Sequence, residues 1–195
     1  MTIRDPKADL HRYLHTIRDS LVWKLDGLSE YDVRRPMTPT GTNLLGLVKH
    51  LAHVEAGYFG DCFERPFSEA LPAHAPGAEP NADMWATAEE SREDVLGLYQ
   101  RVREHADATI DALPLDAPGR VPWWGERGDV TLQLILLHVI AETNRHAGHA
   151  DILRELLDGA AGLTPRRSNL PDADETWWPT YQAHLEKTAR EAGGV

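Results

Sequence analysis

The chain has 195 residues, 42% of them hydrophobic and 26% charged, which excludes a disordered chain and leaves room for one ordinary domain with a real core. Its 20 Lys and Arg against 31 Asp and Glu give a net charge of −11, so phosphate backbones are repelled and nucleic acid is excluded as a partner. The one cysteine, Cys62, rules out a disulfide framework and a thiolate-built metal site, so any metal must use nitrogen and oxygen ligands.

In chain order, Asp5-Pro6 opens a first helix whose apolar stripe runs through Leu10, Tyr13, Leu14, Ile17, Leu21 and Leu25. A Gly- and Pro-bearing connection follows to Thr42. Asn43 then caps a second helix with its stripe at Leu44, Leu47, Val48, Leu51, Val54, Tyr58, Phe59 and Cys62. From Glu64 to Ala82 there is no periodicity, only prolines and alanines in a connection long enough to cross a bundle from end to end. Thr87 and Glu90 have capping-box spacing and predict the start of a third helix, striped by Val95, Leu98, Tyr99, Val102, Ala106, Ile110 and Leu113.

Residues 114–129 form a second Pro/Gly-rich connection containing Trp123-Trp124. A fourth helix spans Thr131 to Gly159, with Leu132, Ile135, Val139, Leu153 and Leu157 inward. No strand pattern is present, and the predicted fold is an all-α four-helix bundle over residues 1–163. Residues 164–195 form an extension whose Trp177, Trp178, Tyr181 and Leu185 predict a short helix packed on the bundle. No segment approaches the roughly 20 apolar residues of a membrane span, and the stretch from Met1 to Leu14 lacks the apolar run of a signal peptide. No membrane partner and a cytoplasmic location are expected.

On a helical wheel of the fourth helix, Glu142 and His146 fall in the same sector as Ile135, Val139, Leu153 and Leu157. A carboxylate and an imidazole one turn apart thus interrupt the longest apolar stripe, and a buried carboxylate requires a partner. Two readings satisfy that requirement: a hydrogen-bonded Glu–His pair, or two ligands of one metal ion completed from another helix. The second helix offers His50, at the edge of its buried face, whereas His53 points further toward solvent on the wheel. Glu55 falls within the apolar sector of that helix and is a candidate outer partner of the metal ligands or one half of an internal salt bridge.

His138 and His149 flank the stripe of the fourth helix and are alternative ligands or orienting groups. His11 and His15 also have i,i+4 spacing, but lie away from the stripe of their helix and read as a solvated flank. His74 falls in the long connection, and spacing identifies no partner for His105 or His184. Cys62 reads as a small buried apolar residue. Trp123 and Trp124 either fill the end of the bundle or wall the mouth of a site, and Arg145 and Arg154 either lie on a solvated helix face or pair with Glu55 or with a substrate carboxylate.

The run from Asn43 to Phe59 containing His50 and Glu55, the Pro122-Trp123-Trp124-Gly125 segment, and the stretch Glu142-Thr143-Asn144-Arg145-His146-Ala147-Gly148-His149 resemble the DinB superfamily. The likeness is to its actinobacterial branch, related to mycothiol-dependent enzymes, and runs from the first helix to about Gly162. It implies a four-helix bundle with a divalent metal, zinc first and nickel second. Many members use three histidines, one on the second helix and an H-x-x-x-H pair on the fourth. Here Glu142 stands at the first position of that pair, as in the similar mycothiol-dependent maleylpyruvate isomerases. Carried over by position, the resemblance implies the ligands His50, Glu142 and His146.

The resemblance further implies a low-molecular-weight thiol as cosubstrate, activated by the metal, and an electrophile as its small-molecule partner. The expected function is a metal-dependent thiol S-transferase or related isomerase without a protein nucleophile, with Trp123, Trp124 and Arg145 as candidate substrate contacts. Related bundles often form homodimers. Three other readings compete: a metal-binding module or sensor without turnover, an iron oxygenase built on a two-histidine, one-carboxylate triad, and a structural bundle in which Glu142 and His146 merely pair.

Overall fold

The computed structural model describes residues 5–195 except Pro72, His74, Pro76 and Glu175, so His74 lies outside the described residues. Four long helices carry the architecture: α1 (Pro6–Val22), α3 (Leu44–Phe59), α4 (Arg92–Ala112) and α5 (Leu132–Asp158). A short helix, α2 (Glu30–Arg34), lies in the first connection, and α6 (Trp177–Gly193) ends the chain. The expected all-α bundle is the fold observed.

Local chemistry explains where most of these helices begin and end. The side chains of Asp5, Asn43 and Thr131 accept from backbone N–H groups of the first turns of α1, α3 and α5, satisfying donors that the helix itself leaves free. Gly159 takes a left-handed φ of 78° after the last residue of α5, a conformation that ends a helix cheaply only with glycine. The α4 start differs from expectation. Thr87 and Glu90 do exchange side-chain and backbone hydrogen bonds, but as an isolated turn, and the capping box that opens α4 is Ser91 with Asp94. Ser29 caps helix α2 with the same chemistry, but the sequence does not predict this helix because one turn is too short to show a period.

The helices form a square in which α1 packs on α5, α5 on α3 and α3 on α4, and side-chain ion pairs join α4 to α1. Side-chain pairings fix the directions. Lys24 meets Asp151 on α5 while Leu14 shares a core cluster with Ile135 and Val139, so α1 and α5 run parallel. Glu55 meets Tyr99 and Lys49 meets Glu90, so α3 and α4 also run parallel, and opposite to the first pair. Two consecutive parallel helices require the chain to travel the length of the bundle between them, which accounts for the long connection from Gly60 to Ser91.

That connection docks on α3. Gly46 lies against the Met84 carbonyl, where a Cβ would collide, Asn43 donates to the same carbonyl at 3.3 Å, and Lys49 donates to the Trp85 carbonyl at 3.0 Å. The second connection contains a two-stranded antiparallel sheet, β1 (Pro118–Arg120) with β2 (Asp129–Thr131), which corrects the expectation of no strands. Strands this short carry no alternation to detect. The 3₁₀ turns of Pro122–Arg127 cross the tip of this hairpin and carry Trp123 and Trp124.

The α1 stripe is buried from Leu14 to Leu25, but Tyr13 is exposed and lies beneath Arg12. Helix α6 is longer than expected, and none of its residues is buried, with Trp177, Tyr181 and Leu185 all exposed. Among the described residues no helix is long and apolar enough to cross a membrane.

Candidate metal centre

Three of the side chains singled out in the sequence meet between α3 and α5. Glu142 Oε1 lies 2.9 Å from His146 Nε2 and 3.6 Å from His50 Nε2, and the imidazole rings of His50 and His146 are 4.8 Å apart. One ligand atom from each of the three residues falls within 4.8 Å of the other two. The antiparallel crossing of α3 and α5 brings them together: His50 faces Glu142 and His146, while one end further on Tyr58 faces His138, their rings 4.7 Å apart.

The electrostatics suit a cation. Burial pushes the Glu142 carboxyl up, but its hydrogen bond to His146 and the charges of His146 and His50 outweigh that and hold it below the ordinary carboxylate value. Burial and the neighbouring His50 push His146 down, against the pull of Glu142. The carboxylate is therefore ionised and the His146 imidazole neutral near pH 7, the protonation states that a metal ion requires of these ligands. His146 Nδ1 is buried with no hydrogen-bond partner, so the Glu–His pair alone leaves this ring half satisfied. Two imidazole nitrogens and a carboxylate form a donor set for zinc or nickel and fit the expected group.

The outer partner of this cluster is a residue the sequence did not single out. Asp83, in the long connection, lies 2.6 Å through Oδ2 from His50 Nδ1, and burial of its carboxyl is outweighed by that hydrogen bond, which keeps its pKa low. A carboxylate on Nδ1 fixes the tautomer and turns Nε2 toward Glu142, the usual arrangement behind a metal-bound histidine. Nothing in the aperiodic sequence around Asp83 signals this role; it emerges only when the connection docks on Gly46.

Glu55, expected as an outer partner or an internal salt bridge, is fully buried and takes the second role. Arg18 Nε donates to Glu55 Oε1 at 2.9 Å, Arg18 Nη2 donates to Oε2, and Tyr99 donates its hydroxyl to Oε1 at 3.1 Å. Neither Arg145 nor Arg154 is its partner: Arg145 is exposed, while Arg154 is bound to Asp158 and to the carbonyls of Lys24 and Asp26. A wheel of α3 finds the buried carboxylate but cannot name a cation on another helix.

The burial order of the two α3 histidines is reversed from expectation. His53 is 1% exposed and lies 2.8 Å through Nδ1 from the Lys49 carbonyl, because the connection covers the side of α3 that the wheel leaves to solvent. His138 is half-buried against Tyr58 and Trp124, and His149 is exposed with its ring 5.4 Å from that of His146. Trp123 remains 54% exposed and lies over Gly57 and Tyr58, whereas Trp124 packs against the core at the bundle end.

Two clefts share His50 and Glu142 as a common wall. One, of about 600 Å³, is lined by His53, Val54, Gly57, Tyr58, Trp123 and His138. The other, of about 640 Å³, is more polar, with Thr40, Thr42, Asn81, Trp85, Arg145 and His146. A family model described as mycothiol-S-transferase matches residues 9–159, which take in every residue of the cluster and both clefts and leave α6 outside. The chain belongs to the mycothiol-S-transferase family. Curated proteins offer no match.

The chain's own sulfur is out of play in this family member. Cys62 is buried beside α3, and burial together with the charge of Asp61 pushes its thiol up to about 12. Native protein at pH 8 is expected to react with a disulfide reagent such as DTNB at least roughly a hundredfold more slowly than in denaturant. Equal rates would place the thiol at the surface.

Proposed function

We propose that the chain is a metal-dependent S-transferase that joins a low-molecular-weight thiol of the mycothiol type to an electrophile in the cytoplasm. The observation that carries this reading is the shared wall: the ligand cluster borders two clefts, so two substrates can approach it from opposite sides. The polar cleft, with Thr40, Thr42, Asn81 and Arg145, suits a hydroxyl- and carboxylate-bearing thiol. The cleft walled by Val54, Tyr58 and Trp123 suits an apolar or aromatic electrophile.

His50, Glu142 and His146 would hold the cation, zinc by preference and nickel as the alternative, with Asp83 keeping His50 in position. The cation when bound supplies Lewis acidity that lowers the pKa of a thiol, so that a thiolate is available at neutral pH. Trp123 and Tyr58 shield the reacting atoms from water, and Arg145 offsets negative charge on the thiol substrate. The new sulfur–carbon bond forms as the leaving group departs, and the thiol proton leaves with that group or to solvent. The exposed stripe of Trp177, Tyr181 and Leu185 supports a homodimer paired through α6.

Thiol consumption by holoprotein with mycothiol and a bimane or epoxide electrophile tests the proposal. Thioether product that disappears on metal removal and returns with zinc is the expected result. Turnover that survives complete metal removal overturns the mechanism, and metal uptake without thioether from any thiol–electrophile pair establishes a binding module instead.

A further inference from the structure

A second group of metal-ligating side chains lies on the opposite side of the square, where α1 meets α4. His11 Nε2 is 2.8 Å from Asp107 Oδ1, and His15 Nε2 is 3.4 Å from Asp107 Oδ2. The two rings are 4.4 Å apart, and Asp111 Oδ1 lies 3.9 Å from His11 Nδ1. Read from spacing, these histidines form a solvated flank; in the structure they converge on an acidic residue of the neighbouring helix.

We propose that His11, His15 and Asp107 bind a divalent transition-metal ion at a second site, separate from the His50 cluster, that staples α1 to α4. Ligand atoms from the three residues already lie within 4.8 Å of one another, and small rotations of the partly exposed His15 bring them to the roughly 2.0–2.2 Å that zinc requires. Histidines at i and i+4 on one helix chelate from a rigid base, so little order remains to be imposed on binding. Two imidazoles and one carboxylate favour zinc, nickel or copper over calcium or magnesium, which prefer all-oxygen shells.

The local charge is also in favour. Arg18 donates to Asp107 Oδ1 at 2.6 Å and on its own would repel a cation. Its charge is already matched by the buried carboxylate of Glu55, so the negative charges of Asp107 and Asp111 are left in excess beside the histidines. By holding Oδ1, Arg18 also fixes the Asp107 carboxylate with Oδ2 toward His15. Other polar links cross the same seam, with Lys7 donating to the carbonyls of Asp111 and Leu113 and Arg103 paired with Asp19. A bound ion would replace the proton shared by His11 and Asp107 with a stronger link between the helices. The side chains of His11, His15 and Asp107 are 18%, 41% and 24% exposed, so an ion can enter from solvent without unfolding.

Zinc titration of the full-length, metal-stripped chain, by calorimetry and by elemental analysis after dialysis, tests the site. Wild type is expected to take up one equivalent that His15→Ala and His11→Ala each lose and that His50→Ala/His146→Ala retains. With copper as the probe, electron paramagnetic resonance of that double variant should show two nitrogen ligands, falling to one when His15→Ala is added. Uptake by His15→Ala equal to that of wild type, or no uptake by the double variant, overturns the second site. A further equivalent lost by the double variant and kept by His15→Ala reports the His50 cluster, so the two sites are counted separately. Circular dichroism of each variant confirms the fold; His15 is exposed enough for alanine to be accommodated.

Discussion

Glu55→Ala is expected to destabilise the chain by about 3–5 kcal/mol. Arg18 and Glu55 are each 0% exposed, joined by two parallel hydrogen bonds, so removing the carboxylate leaves a guanidinium in the core with no water to receive it. Burial alone would push the Arg18 guanidinium toward neutrality; the charge and hydrogen bonds of Glu55 more than reverse this and keep it firmly protonated. Tyr99 loses its acceptor in the same step, and a stranded buried hydroxyl costs about 1–3 kcal/mol within that total. Since small domains are stable by only about 5–15 kcal/mol, urea denaturation should show a midpoint shifted by a large fraction of its value. Replacing both partners, as in Arg18→Met with Glu55→Leu, should cost less than Glu55→Ala alone, because no unpaired charge stays behind. A Glu55→Ala midpoint close to that of wild type would mean that the pair is solvated.

Glu142→Gln and His146→Ala are expected to weaken metal binding at the His50 cluster by at least a hundredfold and to remove thiol-transfer activity with it. Loss of an outer partner typically costs about 10–100-fold in metal affinity, which sets the expectation for Asp83→Asn. Loss of a ligand exceeds it. The pH dependence follows from the same groups. His146 in the folded chain is depressed, so its contribution to stability is full above the ordinary histidine value near about 6.5 and is lost as pH falls through the lower folded value. Glu142 and Asp83 are likewise depressed, so their contributions are lost at still lower pH, through the acid carboxylate range. Metal release should therefore set in as pH falls below the ordinary histidine range and deepen as the carboxylates titrate. Metal content of the variants and of wild type across pH 4–8 checks both expectations, and unchanged content in His146→Ala would rule the cluster out as a ligand set.

What the sequence discloses here is what a period or a cap can encode. The stripes of four helices, the cap at Asn43, the start at Thr131 and the stop at Gly159 are local, and the structure contains them. The meeting of His50 with Glu142 and His146 was also foreseeable, because an inward carboxylate one turn from an imidazole has few structural explanations. Partners across helices were not. Arg18 lies on a different helix from Glu55, and no wheel links them. Asp83 and the burial of His53 both depend on how an aperiodic connection lies against α3. The hairpin and α2 are too short to show a pattern, and the early Thr87 start reflects a real hydrogen-bonded turn that a spacing rule cannot distinguish from a helix.

The parallel course of α3 and α4 obliges the chain to lay a long strap along the bundle, and that strap supplies Asp83 to His50 and Asn81, Met84 and Trp85 to the polar cleft. In the proposed enzyme α3 and α5 hold the three candidate ligands, while the strap docked on α3 sets the basicity of His50 and lines the polar cleft. Substitutions at Asp83 and Asn81 would there retune how tightly the ion is held and which thiol is accepted, whereas Phe67, Leu71 and Met84 of the same strap pack against the core. One connection of the chain thus serves packing and, in the proposed enzyme, selectivity.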